Sequence, residues 1–171
     1  VRLSAGGYNA DAFRSYPLPD DYRGYLADPQ RRSLAFNALA QTSDKSQLGF
    51  EATASHSVQN DVFPTWRIAE AIYDTKSVKV DYTVDTSAGL IEALAYTNWL
   101  DFRYLTPAFS SGSTSNRVTV AKVQDLFKVG TDHSFRLTGE FRHNEMTVGP
   151  TKGGTVGYNV YSGSGLWDWA I

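Results

Sequence analysis

Cysteine is absent from the 171-residue chain, which excludes disulfide bonds and thiolate metal sites but leaves the cellular compartment open. Long apolar runs are missing too: none approaches the roughly 20 residues of a membrane-spanning helix, so helical insertion into a bilayer is excluded. An excess of charge of either sign is absent as well, because 16 Lys and Arg against 18 Asp and Glu leave a formal net charge of -2. With no basic cluster, nothing indicates a nucleic-acid partner.

Aromatic residues are abundant, with ten Tyr, nine Phe and four Trp beside 14 Gly. The connections between strand-like segments alternate between short and long. Tight turns are predicted at residues 42–46, 85–89 and 130–133. Long connections are predicted at residues 10–30, 59–75, 105–116 and 145–154. A meander with one tight end and one loop-rich end is typical of the wall of an outer-membrane β-barrel.

The fold class follows from alternating apolar and polar residues, which predict long antiparallel strands. These strands are predicted at residues 33–41, 47–58, 76–85, 90–102, 117–129 and 134–146, with weaker Gly-bearing strands at 1–9 and 155–161. We therefore expect an all-β, up-and-down meander of about seven or eight strands that forms part of a transmembrane β-barrel. Strands of about 9 to 13 residues exceed the usual length in soluble sheets and approach what a tilted strand needs to cross a bilayer.

Two of these segments leave the phase of the alternation open. In residues 90–102, placing Glu92 opposite the apolar face favours the odd-numbered set, which includes Ile91 and Trp99. In residues 117–129, Val120 and Val123 are in opposite phases, so a bulge is predicted near residues 121–122.

Charged residues in the middle of the strands constrain which face meets lipid. A lipid-facing Lys or Arg costs about 2–4 kcal/mol at the bilayer midplane, and an acid costs less, so we expect these side chains to point into a wet lumen. They are Lys79, Asp81, Glu92, Arg136, Glu140 and Arg142. The alternative is a soluble β-sandwich with the same charges on its solvent face.

The sequence also predicts structure in the connections between strands. Pro64 followed by good helix formers predicts a short surface helix over residues 64–73. Residues 110–116 have too little apolar content to bury and predict a mobile loop. Aromatic residues gather toward strand ends, which indicates either an interfacial girdle or the core of a sandwich. Examples are Trp99, Tyr104, Trp167 and Trp169.

One hairpin resembles a known family. Residues 124–144 read Q-D-L-F-K-V-G-T-D-H-S-F-R-L-T-G-E-F-R-H-N, with a short D-H turn and a G-E-F-R-x-N arm. This segment resembles a barrel hairpin of the TonB-dependent outer-membrane receptors, and residues 78–82 with 90–100 are similar to an earlier hairpin of that family. The specific residues are confined to these two hairpins.

The resemblance implies a protein of the bacterial outer membrane, in contact with outer-membrane lipid. Such receptors are large barrels plugged by an N-terminal domain, and they import a scarce small-molecule ligand, such as a siderophore-bound iron, cobalamin or a saccharide. The plug is missing from these residues, so contact with TonB is implied only through that missing segment. No functional residue of the family can be carried over to a numbered position.

The extent of the barrel is a separate expectation. No charged-then-apolar signal segment precedes the first predicted strand, so we expect a processed product or, as the preferred interpretation, a piece of a longer protein. An open sheet edge cannot stand in hydrocarbon, which favours further strands supplied by the rest of that protein. A complete small barrel of eight strands is the alternative within the same class.

Sites for chemistry are sparse, and we predict no enzyme, no cofactor and no metal site. The three histidines share no metal-ligand spacing, no Ser lies in a G-x-S-x-G elbow, and residues 149–154 lack the order of a phosphate loop. Glu92 and Glu140 could in principle flank a sugar as acid and nucleophile, but strand faces carry carboxylates routinely.

The ligand-binding hypothesis rests on loops and on the polar strand face. Loops at residues 10–30, 64–73 and 105–116 are expected to face outside and to contribute to ligand capture. The candidate contact residues are Trp66, Tyr104, Arg136, Glu140 and Arg142. The alternative function is a soluble secreted carbohydrate-binding or adhesion module that uses exposed aromatic side chains as a sugar platform.

Overall fold

The computed structural model describes residues 1–12, 25–62, 68–107, 110–149 and 154–170. These residues form eight β-strands, seven of which are 14 to 18 residues long, while β1 has 8. The strands are β1 (Arg2–Asn9), β2 (Gln30–Ser43), β3 (Ser46–Val62), β4 (Ile68–Asp85), β5 (Leu90–Leu105), β6 (Gly112–Val129), β7 (His133–Val148) and β8 (Thr155–Trp169).

All eight strands belong to one sheet, in the order β1-β2-β3-β4-β5-β6-β7-β8, and each neighbouring pair is antiparallel. The predicted all-β, up-and-down meander is confirmed. The tight turns after β2, β4 and β6 lie at one end of the sheet, and the remaining connections lie at the other. A sandwich needs two packed sheets, whereas the described strands form a single one.

The long-connection end differs from the sequence-based expectation, because the strands continue well beyond the apolar segments. The predicted helix is wrong over residues 68–73, which belong to β4, and its first part lies outside the described residues. The predicted mobile loop is wrong from residue 112 onward, where β6 begins. Likewise, β3 runs to Val62, β7 to Val148 and β8 to Trp169.

These extensions are held by polar side chains that bond across strands and, in β4, by the fully buried Ala69 and Ala71. Ser115 Oγ donates to Asp101 at 2.6 Å, and Ser55 and Thr75 share a hydroxyl hydrogen bond of 2.6 Å. In residues 112–116, Ser113 and Ser115 lie on one face and Thr114 and Asn116 on the other, so their composition indicates a loop. The backbone ladder with a neighbouring strand nevertheless satisfies their N–H and C=O groups, and this continues the strand.

The register is continuous along β6, so the bulge predicted near residues 121–122 is wrong. Ala121 pairs with Ala95 on one side and with Phe141 on the other, and Lys122 follows in step. Instead, a register shift occurs between Gln41 and Ser43, beside the first tight turn. Without a bulge, the side chains of β6 alternate strictly from end to end.

The sheet encloses very little core. Of the described apolar residues, only Ala12, Val58, Ala69, Ala71 and Val120 are buried. The accessible surface of the 18.9 kDa chain is 11663 Å², whereas a compact monomer of that mass exposes about 8300 Å². Neither face of the sheet is therefore covered by other parts of the described chain. Among the described residues, none of the elements is a helix long and apolar enough to cross a membrane.

Candidate functional site

The register of the seven strand pairs sorts the side chains onto two chemically different faces. Directly paired residues of an antiparallel sheet point to the same side, so one face can be followed from strand to strand. The first face contains Phe36, which pairs with Ala52, and Ala52 pairs with Val78. We call this side the apolar face, and the opposite side the polar face.

The apolar face carries a band of apolar side chains across the sheet, interrupted in the row of Val78 by Thr97, Thr119, His143 and Asn159. Its larger members include Leu34, Phe36, Leu48, Phe50, Val78, Val80, Tyr82, Ile91, Trp99, Val123, Phe127, Phe135, Leu137 and Phe141. Many are open to the surroundings, with Phe50 36% exposed, Val80 39% and Leu137 51%. The odd-numbered phase predicted for β5 is confirmed, since Ile91 and Trp99 lie on this face.

The height of the apolar band follows from the number of residues that it spans. From Ile91 to Trp99 the apolar face of β5 covers about 26 Å of strand, which corresponds to about 20 Å of height at a 40° tilt. Outer-membrane barrels present an apolar band about 25 Å tall. Asp125 is a charged exception, in the row of Ile91 near the tight turns, and its Oδ1 is buried without a hydrogen-bond partner among the described residues.

Aromatic rings border the band at the tight-turn end. Phe127 stacks on Phe135 at 5.3 Å, Phe135 on Trp167 at 6.3 Å, and Trp167 on Trp169 at 6.4 Å between ring centroids. Trp99 borders the band on the other side, in the row of Lys76 and Arg117. Such borders are where aromatic girdles lie in membrane barrels. Tyr104, which the sequence groups with these residues, lies on the polar face instead.

The six mid-strand charges singled out in the sequence all lie on the polar face. The register places Lys79 and Asp81 of β4, Glu92 of β5, and Arg136, Glu140 and Arg142 of β7 on the side opposite Val80. That they share one face is therefore confirmed, while their contact with a wet lumen stays a prediction. Glu51 and Lys122 lie on the same face and were not singled out.

Most of these charges are paired with a neighbour of opposite sign. Lys79 Nζ lies 2.9 Å from Glu51 Oε1 and 3.2 Å from Asp81 Oδ1. Arg142 Nη2 lies 3.3 Å from Glu140 Oε1. These side chains are about one-quarter to one-half exposed, so each pair contributes little to stability. The mixture of signs favours neither cations nor anions.

The five candidate ligand residues do not form one site. Trp66 lies outside the described residues. Glu140 and Arg142 are in contact, whereas Arg136 lies near the tight-turn end, about 20 Å of strand from Arg142. Tyr104 lies near the opposite end, about 26 Å of strand beyond the row that Arg142 shares with Tyr96.

Tyr104 belongs to an aromatic cluster on the polar face beside the long connections. Phe102 stacks on Tyr73 with ring centroids 4.8 Å apart, and Tyr104 lies 5.8 Å from Phe102. The Tyr73 hydroxyl donates to Asp61 Oδ2 at 2.6 Å, which orients its ring. The sequence did not indicate Tyr73 or Asp61, because residues 59–75 were assigned to a loop, and Phe102, at the end of the predicted strand 90–102, therefore had no predicted partner. The available signal was the period-2 spacing of Tyr73 and Thr75, which continues the odd-numbered positions of the strand predicted from residue 76.

The carboxylate pair considered for glycosidase chemistry is not assembled. Glu92 accepts a hydrogen bond of 2.9 Å from Gln124 Nε2, and Gln124 accepts one from Thr138. Glu140 lies in the next row, against Arg142. No group of three or more His, Asp or Glu side chains that could hold a metal occurs within the described ranges.

Comparison with known proteins adds no relative. No protein-family model, no curated protein and no solved structure matches this chain.

Proposed function

We propose that this chain is part of the barrel wall of a TonB-dependent outer-membrane receptor that imports a scarce ligand such as an iron chelate, cobalamin or a saccharide. One observation carries the proposal: a single eight-stranded sheet has an exposed apolar band on one face and mid-strand charges on the other. Lipid would cover the first face and water the second. The family assignment rests on the resemblance of the β6–β7 hairpin, residues 124–144.

The exposed area supports lipid as the partner of the apolar face. Leu34, Val80, Leu137 and Trp167 lie on one face and are 39–59% exposed, whereas soluble monomers rarely expose contiguous apolar patches of more than a few hundred Å². In a bilayer the same side chains replace water with hydrocarbon. The alternative, a soluble β-sandwich for sugar binding or adhesion, lacks a second sheet to cover this face.

The edges of the sheet support a larger barrel. All residues of β1 and β8 are exposed, and neither strand has a second neighbour in the sheet. Each unpaired backbone group in hydrocarbon costs several kcal/mol. We infer that further strands of the natural full-length polypeptide pair with β1 and β8 and close the barrel.

The test is to place environment-sensitive fluorophores at single cysteines in the full-length protein, reconstituted in vesicles. Phe36, Phe50 and Val80 should report hydrocarbon and be quenched by lipids with brominated acyl chains. Matched controls on the polar face of the same three strands, Asn37, Thr53 and Ser77, should report water. Aqueous or protein-packed reports at all three apolar positions would overturn the membrane assignment.

The receptor assignment has its own test, ligand import into cells with and without TonB. Import that persists at the same rate without TonB would contradict it.

Ligand capture is assigned to the aromatic cluster of Tyr73, Phe102 and Tyr104, because it lies on the polar face beside the long connections. Stacking rings bind the flat faces of sugars and aromatic chelators. Tyr104→Ala should lower ligand affinity by up to about tenfold, measured by equilibrium binding to the purified receptor. Tyr161→Ala is the matched control, since Tyr161 lies on the apolar face and is 75% exposed. Equal losses at both positions would remove the cluster from the binding site.

A further inference from the structure

A groove crosses the apolar face near the long-connection end of β1 to β5. Ala52 and Ala54 of β3 form its floor because their methyl groups are much shorter than the side chains beside them. Phe36 and Leu34 stand on one side, and Val78 and Trp99 on the other. The groove has a volume of about 490 Å³. An adjoining hollow of about 500 Å³ continues it over Ala5 and Gly6 of β1.

The end of the groove nearest the long connections is positively charged. Arg32 and Lys76 line the adjoining hollow, and both side chains are exposed. Within the described residues, neither Arg32 nor Lys76 has an ion-pair partner. The other two arginines of this part of the face are paired: Arg103 with Asp74 at 3.6 Å and Arg117 with Glu145 at 2.8 Å.

The acids near the groove are already engaged. Asp74 Oδ1 lies 2.7 Å from His56 Nδ1, and its second oxygen faces Arg103. Asp101, which lines the groove, accepts a hydrogen bond of 2.6 Å from Ser115 and keeps its negative charge. Arg32 and Lys76 outnumber this one carboxylate that lacks a cationic partner, so this end of the groove has a net positive charge.

We propose that the groove binds one acyl lipid with an anionic phosphate headgroup, with an acyl chain along Ala52 and Ala54 and the phosphate between Arg32 and Lys76. This inference rests on the proposed function, because a lipid reaches the apolar face only if that face lies in a membrane. Charge complementarity selects a phosphate-bearing lipid over a zwitterionic one. Long Lys and Arg stems can lie along apolar surface while their charged ends reach the headgroup level.

The experiment uses the full-length protein in phosphatidylcholine nanodiscs, and its signal is the fluorescence of Trp99, a wall of the groove. Brominated acyl chains quench a Trp they touch, and the difference from a Trp99→Phe variant isolates this residue. Brominated phosphatidic acid should quench Trp99 at a lower mole fraction than brominated phosphatidylcholine does. With roughly fivefold per cation, and with Asp101 offsetting part of the charge, the preference should lie between about fivefold and 25-fold.

Two variants test the headgroup contact. Arg32→Gln combined with Lys76→Gln should abolish the preference for phosphatidic acid while leaving quenching by phosphatidylcholine. Arg117→Gln is the matched control, since Arg117 lies on the same face but is paired with Glu145, and it should keep the preference. A preference that survives the double substitution, or that Arg117→Gln removes equally, would overturn the proposal.

The remaining outcomes separate this proposal from the proposed function. Equal quenching by both brominated lipids would overturn the headgroup site while supporting a lipid-facing wall. Displacement of brominated phosphatidic acid by millimolar inorganic phosphate would mean that the cations bind free phosphate, and would overturn the lipid assignment. If neither lipid quenches Trp99 and Ala54→Cys cross-links two copies, a second copy covers the groove, and both proposals fail.

Discussion

The assignment of the two faces makes one prediction that can be worked out quantitatively. Val80 lies on the apolar face of β4, and Val84 and Tyr82 precede it from the tight-turn end, while Val78 and Lys76 follow. It therefore lies midway across the apolar band. Val80→Arg should destabilise the protein folded in a bilayer by about 2–4 kcal/mol. This loss lowers the folding equilibrium constant roughly 30- to 700-fold.

Ser77 is the matched control, three residues away on the polar face of the same strand. Its hydroxyl shares a hydrogen bond of 2.7 Å with Thr53, so Ser77→Arg removes that bond. The expected loss is about 0.5–1.5 kcal/mol, because the new guanidinium group stays in water. The difference between the two variants, rather than either value, measures lipid contact.

The assay is a urea titration of the full-length protein in phosphatidylcholine vesicles, followed by Trp fluorescence and by resistance of the folded barrel to SDS. Equal losses for Val80→Arg and Ser77→Arg would refute the assignment of the apolar face to lipid and of the polar face to water. A loss below about 1 kcal/mol for Val80→Arg would place this residue outside the hydrocarbon, since charge is tolerated only near the interfaces.

Three further predictions follow from local geometry. Gly130 has a φ of 68°, so Gly130→Ala should cost about 1–2 kcal/mol of folding free energy in the same titration. Asn60 holds Ala27 by two hydrogen bonds, of 3.0 and 2.9 Å, so Asn60→Ala should accelerate hydrogen exchange of the Ala27 amide. A double-mutant cycle with Lys79→Met and Glu51→Gln should give a coupling of only about 0.2–1 kcal/mol, smaller at high salt.

Each of the three has a result that would contradict it. Gly139→Ala is the control for Gly130, because a Cβ there meets nothing within 4 Å; it should be neutral or stabilising, and an equal loss at both positions would exclude the turn conformation as the cause. Unchanged exchange at Ala27 would mean that other contacts hold this segment. A coupling above about 2 kcal/mol would mean that the Lys79 and Glu51 pair is desolvated.

Much of the fold could be predicted from alternation alone. The even-numbered residues from Val78 to Val84 are apolar and the odd-numbered residues between them are polar, so the strand and its two faces follow directly. The three tight turns were predicted for the same reason, since polar and Gly-bearing residues interrupt the alternation there. The strand ends were not predicted, because β6 begins in the Ser- and Thr-rich residues 112–116, which have no apolar face to detect.

The sequence likewise predicted the candidate site only in part. That Glu140 and Arg142 share a face is a property of spacing along one strand, and the sequence indicated it. Contacts between strands depend on register, as with Lys79 and Glu51, which are 28 residues apart. The aromatic cluster of Tyr73, Phe102 and Tyr104 was missed because it needs both the longer β4 and its pairing with β5.

The sequence by itself determined that this protein is a meander of long strands with one apolar and one charged face. Period-2 alternation is local, and each strand carries it independently of its neighbours. Only the tertiary structure decided the uninterrupted phase of β6, the points where the strands end and the pairing of charges across them. It also placed Arg32, Lys76 and Trp99 around the groove over Ala52 and Ala54. These features depend on backbone hydrogen bonds between segments far apart in the chain, whose register the alternation constrains only to an even number of residues.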